Sequence, residues 1–119
     1  MFADQPTVIP VPLHYRRLNW RGFNQAELLA KQIARYFKLP LETSTLTRIR
    51  STEPQAFITD RDDRIKNTQD IFACSGTITA SSILLIDDIC TTGATLNECA
   101  RVLKVRGAQR VSALVVARG

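Results

Sequence analysis

The sequence predicts an α/β fold, with a mainly parallel sheet of about five strands and helices on both faces. Three observations predict it. Ile83-Leu84-Leu85-Ile86 is an unbroken apolar run, the pattern of a short strand buried on both faces, as in a parallel sheet. Strand-like and helix-like segments alternate along the chain. Two of the helical segments are amphipathic, so each has an apolar face to lay against a sheet.

Taken in order, Val8-Ile9-Pro10-Val11-Pro12 is a β-prone run that its two prolines keep short. Leu13 to Phe23 reads as a long loop. Asn24 suits a helix N-cap with Glu27 as reciprocal partner, and Leu29, Ile33, Tyr36 and Phe37 follow on one helical face before Pro40 ends the helix. Leu41 to Leu46 reads as a second strand. From Arg48 to about Asp70 the pattern dissolves into polar and charged sequence; long stretches of this kind inside a compact domain are typically functional lids. Ile71-Phe72-Ala73 is a weak strand and Ser75-Gly76 a turn. After the apolar strand comes a helix from Thr92 to Arg106, with Leu96, Ala100 and Leu103 on one face and Gly107 as its C-terminal cap. Val111 to Ala117 is almost continuously apolar, which predicts a last strand that is central or covered on both faces.

Directly after Ile86 stand two adjacent acids, Asp87 and Asp88, and then Ile89-Cys90-Thr91-Thr92-Gly93-Ala94-Thr95. Strand, acidic pair, small hydroxyl-rich loop and helix, in that order, bring hydroxyls and backbone N–H groups to a helix N-terminus, where phosphate binds well. The carboxylates accept hydrogen bonds from sugar hydroxyls. Phosphate donors on one side and diol acceptors on the other make a cradle for a ribose 5-phosphate. A phosphoacceptor receiver domain also places two acids after an apolar strand, but its phosphorylated Asp comes much later, and no Asp follows Asp88.

This stretch resembles the phosphoribosyl-pyrophosphate signature of the type I phosphoribosyltransferases, which runs from apolar residues through two acids to Thr-Thr-Gly and a closing Thr. Across nearly the whole chain the sequence resembles one branch of that fold, the ComF family of competence proteins. The residues that carry the likeness are Val11-Pro12-Leu13-His14-Tyr15-Arg16-Arg17, Arg21-Gly22-Phe23-Asn24-Gln25-Ala26-Glu27-Leu28, the signature itself, and Gly107-Ala108. In the lid, Thr52, Pro54, Gln55, Arg64 and Asn67 resemble family positions.

The resemblance implies a phosphoribosyltransferase core that binds phosphoribosyl pyrophosphate with Mg2+ and is associated with bacterial DNA uptake. Asp87 and Asp88 would be the catalytic pair that holds the ribose hydroxyls. Thr91, Thr92, Gly93, Ala94 and Thr95 would hold the 5-phosphate. Pro12, Leu13, His14, Tyr15, Arg16 and Arg17 would form the pyrophosphate loop, and Arg48, Arg50, Arg64 and Lys66 would belong to a basic lid. Magnesium keeps much of its water and binds through substrate phosphates, so it would arrive with the substrate and no protein metal cage is expected. Family members often begin with a cysteine-rich zinc module; residues 1–119 read instead as a single phosphoribosyltransferase-like domain without one. Transferases of this fold also carry a hood that grips the accepting base, and the sequence assigns no segment to it. A non-catalytic module that senses the donor or a nucleotide therefore stands beside the transferase as an alternative.

A net charge of +5 and a pI near 9.6 favour anionic partners. Phosphoribosyl pyrophosphate or a nucleotide satisfies this, and single-stranded DNA, competence proteins and a homodimer stay open. No apolar run has the length of a membrane span and no signal-peptide pattern opens the chain. Cys74, Cys90 and Cys99 are odd in number and form no C-x-x-C pair, so reduced thiols in the cytoplasm are expected. Neither G-x-G-x-x-G nor a Walker Gly-Lys-Ser/Thr occurs, which removes the dinucleotide and nucleoside-triphosphate classes.

Overall fold

The computed structural model describes residues 5–13, 24–49, 72–90 and 93–118. The strands are β1 (Thr7–Pro10), β2 (Leu46–Arg48), β3 (Phe72–Cys74), β4 (Ser82–Cys90) and β5 (Arg110–Arg118); the helices are α1 (Gln25–Phe37), between β1 and β2, and α2 (Ala94–Val105), between β4 and β5. Among the described residues there are five strands, divided between two sheets. β1, β4 and β5 form a parallel sheet in the order β1-β4-β5, while β2 and β3 pair antiparallel as a separate arm.

Alternation along the buried strands sorts their side chains onto two faces. Val8, Leu84 and Ile86 pack with Ala30, Ala34 and Leu39 under α1. Ile9, Val11, Ile83 and Leu85 pack with Cys99, Val102 and Leu103 of α2 and with Leu46, Phe72 and Cys74 of the arm. Helices thus cover both faces of the sheet. The side chain of Asn24 caps α1 by accepting from the Ala26 N–H at 3.0 Å, and its amide donates to Val11 O at 3.2 Å, tying the helix start to the end of β1. Glu27, expected to complete the cap, pairs with Lys31 instead at 3.9 Å.

Several boundaries differ from the sequence reading, each for a physical reason. The buried row of α1 is Ala26, Ala30 and Ala34, whose small side chains let the helix lie close to the sheet, and Tyr36 falls off that face at 80% exposed. The expected strand from Leu41 to Leu46 is reduced to one parallel bridge, Val8 with Leu41. There Val8 N–H donates to Pro40 O and Glu42 N–H donates to Val8 O. The next bond along that edge would need an N–H from residue 10, and Pro10 has none, so the pairing stops. Arg110 to Arg118 is indeed a strand, but neither central nor doubly covered. β5 has β4 as its one neighbour among the described residues, and Leu114 and Val116 are 46% and 66% exposed. The C-cap of α2 is Arg106, and Gly107, expected as the cap, follows it with φ 123°.

Candidate functional site

The carboxyl ends of β1 and β4 lie side by side. Val11 N–H donates to Ile86 O at 2.8 Å, which brings the chain leaving β1, with Pro12 and Leu13 half-buried, next to Asp87. In parallel sheets ligands bind at this end. β4 runs on past its apolar residues through Asp87 and Asp88, because Asp87 stays in register with Val115 of β5. Both acids are therefore held by a strand rather than by a loop, and both are half-buried.

The two carboxyl groups are close enough to share a hydrogen bond, and the Asp88 backbone N–H donates to Asp87 Oδ1 at 2.9 Å. Burial, the bond to the Asp88 side chain and the Asp88 negative charge raise the Asp87 pKa from 3.8 to about 6; the Asp88 backbone N–H and the Arg48 guanidinium oppose that rise. A carboxyl shifted by burial and by a like-charged partner, at the carboxyl end of a parallel strand, has the signature of a functional group.

Three residues after the end of β4 stands Gly93, the N-cap of α2, with φ 81° and ψ −3°. This left-handed conformation suits glycine, and a glycine cap leaves no side chain over the helix start. The first turn carries no acid. First-turn N–H groups lack intrahelical partners and carry the positive end of the helix dipole, so Gly93, Ala94 and Thr95 offer the environment a phosphate needs.

Arg48, expected to belong to the lid, is the one lid residue among the described residues. It ends β2 in register with Phe72, is half-buried, and its guanidinium lies 5.1 Å from the centroid of the Phe72 ring. It acts electrostatically on both Asp87 and Cys99, so its charge bears on the acidic pair. The alternation Leu46 buried, Thr47 exposed, Arg48 half-buried was the available signal that Arg48 shares the inward face of its strand. Cys74 and Cys99 are buried and unbridged, and burial pushes the Cys99 thiol up to about 12, so neither is a nucleophile.

His14, Tyr15, Arg16, Arg17, Arg50, Arg64, Lys66, Thr91 and Thr92 lie outside the described residues, as does the side chain of Cys90. Among the described residues no three His, Cys, Asp or Glu side chains cluster around a metal-sized space. The paired oxygens of Asp87 and Asp88 are the hard donors that suit Mg2+ carried on a phosphate substrate.

Residues 24–119 match the family model of the phosphoribosyl transferase domain. The chain belongs to that family. This phosphoribosyl transferase domain is 33% identical over 113 residues to competence protein F of Haemophilus influenzae, an alignment covering 93% of this chain and 49% of that protein. It is 32% identical over 111 residues to DNA utilization protein YhgH of Escherichia coli K12, covering 93% and 48%. With competence protein ComFC of Streptococcus pneumoniae the identity is 34% over 110 residues, covering 92% and 47%. The chain thus spans about half the length of the curated relatives it matches. The likeness to the ComF competence proteins read from the motifs is borne out. Among the described residues no helix is long and apolar enough to cross a membrane.

Proposed function

We propose that this phosphoribosyl transferase domain binds magnesium–phosphoribosyl pyrophosphate across the carboxyl ends of β1 and β4 and transfers ribose 5-phosphate to a nitrogenous acceptor, in the service of DNA uptake or utilization. The observation that carries the reading is the strand-held pair Asp87 and Asp88, tied by the Asp88 N–H to Asp87 Oδ1, just ahead of the glycine-capped start of α2. In this reading Asp87 and Asp88 accept hydrogen bonds from the ribose hydroxyls, and Gly93 to Thr95, with Thr91 and Thr92, hold the 5-phosphate. The chain from Pro12 to Arg17 faces the pyrophosphate.

The acceptor nitrogen forms its bond to the anomeric carbon as the carbon–oxygen bond to pyrophosphate breaks; the electron pair leaves with pyrophosphate, and the acceptor gives up a proton. The ribose passes through a cationic, oxocarbenium-like state, which the anionic pair beside it stabilises. Magnesium, when bound, neutralises the leaving group. A basic lid carrying Arg50, Arg64 and Lys66, as the sequence resemblance implies, would keep water from the anomeric carbon.

The test is release of pyrophosphate from phosphoribosyl pyrophosphate with Mg2+, across a panel of nucleobases and amines, run beside direct binding of the donor. Release that depends on one acceptor establishes the transferase. Donor binding without release on any acceptor establishes a sensing module built on the same cradle. Neither binding nor release overturns both readings.

A further inference from the structure

Away from the acidic pair, on the outer edge of the parallel sheet, the structure holds a groove of about 540 Å³ between α1 and the segment that follows it. Three independent features meet there. The first is an apolar floor: Leu39 is buried, Leu41 is half-buried, and Leu28 is 45% exposed. The second is a cationic rim, Lys31 and Arg35, one helical turn apart on α1 and both exposed. Lys31 is shared at 3.9 Å with the half-buried Glu27, a long contact on an exposed lysine and weak enough to yield to a better partner.

The third feature is the backbone of Leu41. In a parallel bridge the residue opposite Val8 contributes none of the bonds itself; its neighbours do, here Pro40 O and Glu42 N–H. The N–H and C=O of Leu41 therefore point away from β1, to a side where no strand pairs with it among the described residues. Pro10 stops the pairing after this one bridge, so the edge stays short.

We propose that this groove docks an extended, acidic peptide segment, which pairs its backbone with Leu41, seats one apolar side chain on Leu28, Leu39 and Leu41, and sets carboxylates against Lys31 and Arg35. Addition of a strand to an open sheet edge takes its affinity from main-chain hydrogen bonds and its specificity from alternate side chains. The inward side chains must therefore supply both an apolar group for the leucines and carboxylates for Lys31 and Arg35, all of which line the groove.

Other occupants fit less well. A nucleic-acid strand would want an aromatic platform for its bases, and among the described residues the groove is lined by aliphatic side chains with Lys31, Gln32 and Arg35 and by no aromatic ring. A second copy of the chain would bring the apolar, arginine-ended strand Arg110–Arg118 and a net charge of +5 against a cationic rim. The proposal is independent of the phosphoribosyl reading, since none of its residues belongs to the cradle.

The probe is a capped synthetic peptide with threonine at alternate positions and glutamate, leucine, glutamate at the ones between. Backbone amide NMR should show saturable shifts centred on Leu41 and neighbouring α1 residues. Arg35→Glu, an exposed change that leaves the core intact, should weaken binding by about tenfold or more. A peptide with lysine for both glutamates should not bind. Of two N-methylated versions, each stripped of the donors along one edge, one should lose binding and the other keep it. Shifts that do not saturate, equal binding of the lysine peptide, affinity unchanged by Arg35→Glu, or indifference to both methylations would each overturn the proposal. Oligothymidylate moving these amides where the peptide does not would reassign the groove to nucleic acid.

Discussion

The backbone N–H of Asp88 donates to Asp87 Oδ1 at 2.9 Å, so the second acid of the pair orients the first. Two adjacent acids on one strand are thereby made unequal. Asp87 takes the bond and the burial, and its pKa rises to about 6. The pair is held in place by neighbours on three elements, Ile86 before it on β4, Val115 beside it on β5 and Arg48 at the end of β2.

Asp87→Asn should make the protein more stable at neutral pH. A carboxyl whose pKa is raised from 3.8 to about 6 on folding binds its proton more tightly in the folded state. Stability from this group is therefore fully present below about pH 4 and is lost as pH rises to about 6 and beyond. Asn avoids that loss. The gain should be on the order of 1–2 kcal/mol at neutral pH, allowing for the solvent-exposed side of the carboxyl, and should vanish below about pH 4. Urea unfolding of both proteins across this range checks it; a gain that is the same at every pH would show that Asp87 is not perturbed as described.

Arg48→Met should raise the pH at which Asp87 titrates, because the guanidinium favours the ionised carboxylate. Arg48→Lys should largely restore the wild-type midpoint. Carboxyl carbon NMR of the ligand-free protein reads this directly, and an unchanged midpoint in the methionine variant would return Arg48 to a purely structural place on the Phe72 ring.

Gly107→Ala should destabilise the protein by roughly 2 kcal/mol or more, since φ 123° is a conformation that alanine resists. A Cβ there would also stand 2.7 Å from the backbone oxygen of Ile78. Ile78 is fixed by its N–H bond to Arg106 O at 2.8 Å, so neither side gives easily. Denaturant unfolding tests this, and a loss under about 0.5 kcal/mol, the range of ordinary surface changes, would be inconsistent with the contact.

Val116→Thr should cost little, within about 0.5 kcal/mol, whereas Leu85→Ala should cost about 2–5 kcal/mol. Both residues lie on apolar strands of the same sheet, yet Val116 is 66% exposed and Leu85 is fully buried. Equal losses in the two variants would mean that the face of β5 is covered after all.

That contrast marks where the sequence is legible. Ile83 to Ile86 announce a buried strand, Asn24 a cap and Gly107 a terminus, because each is a local demand met by a local residue type. The exposure of β5 was not legible: an apolar run states what a strand can bury against and not whether anything lies there. The shortened pairing at Leu41 depends on Pro10, more than thirty residues away in sequence, and becomes visible only once the two segments are adjacent. Arg48, expected in the lid, ends β2, and its two-residue spacing from the buried Leu46 sets it on the inward side of that strand. The helix end at Lys38, left-handed at φ 54°, has no glycine to signal it; Lys38 and Leu39 close the helix by donating back to Ala34 O.

The central claim is that Asp87 and Asp88 with the loop after them cradle a ribose 5-phosphate, and calorimetry of magnesium–phosphoribosyl pyrophosphate binding tests it most directly. Asp87→Asn combined with Asp88→Asn keeps the size of both side chains and removes both charges. The doubly substituted protein should fold and bind at least about tenfold more weakly, since hydrogen bonds to charged groups are worth about 1.5–3 kcal/mol each. Thr92→Val should lose less, because backbone donors at the start of α2 remain. Binding unchanged in both variants would make the acidic pair no more than the end of a strand, and would contradict the account.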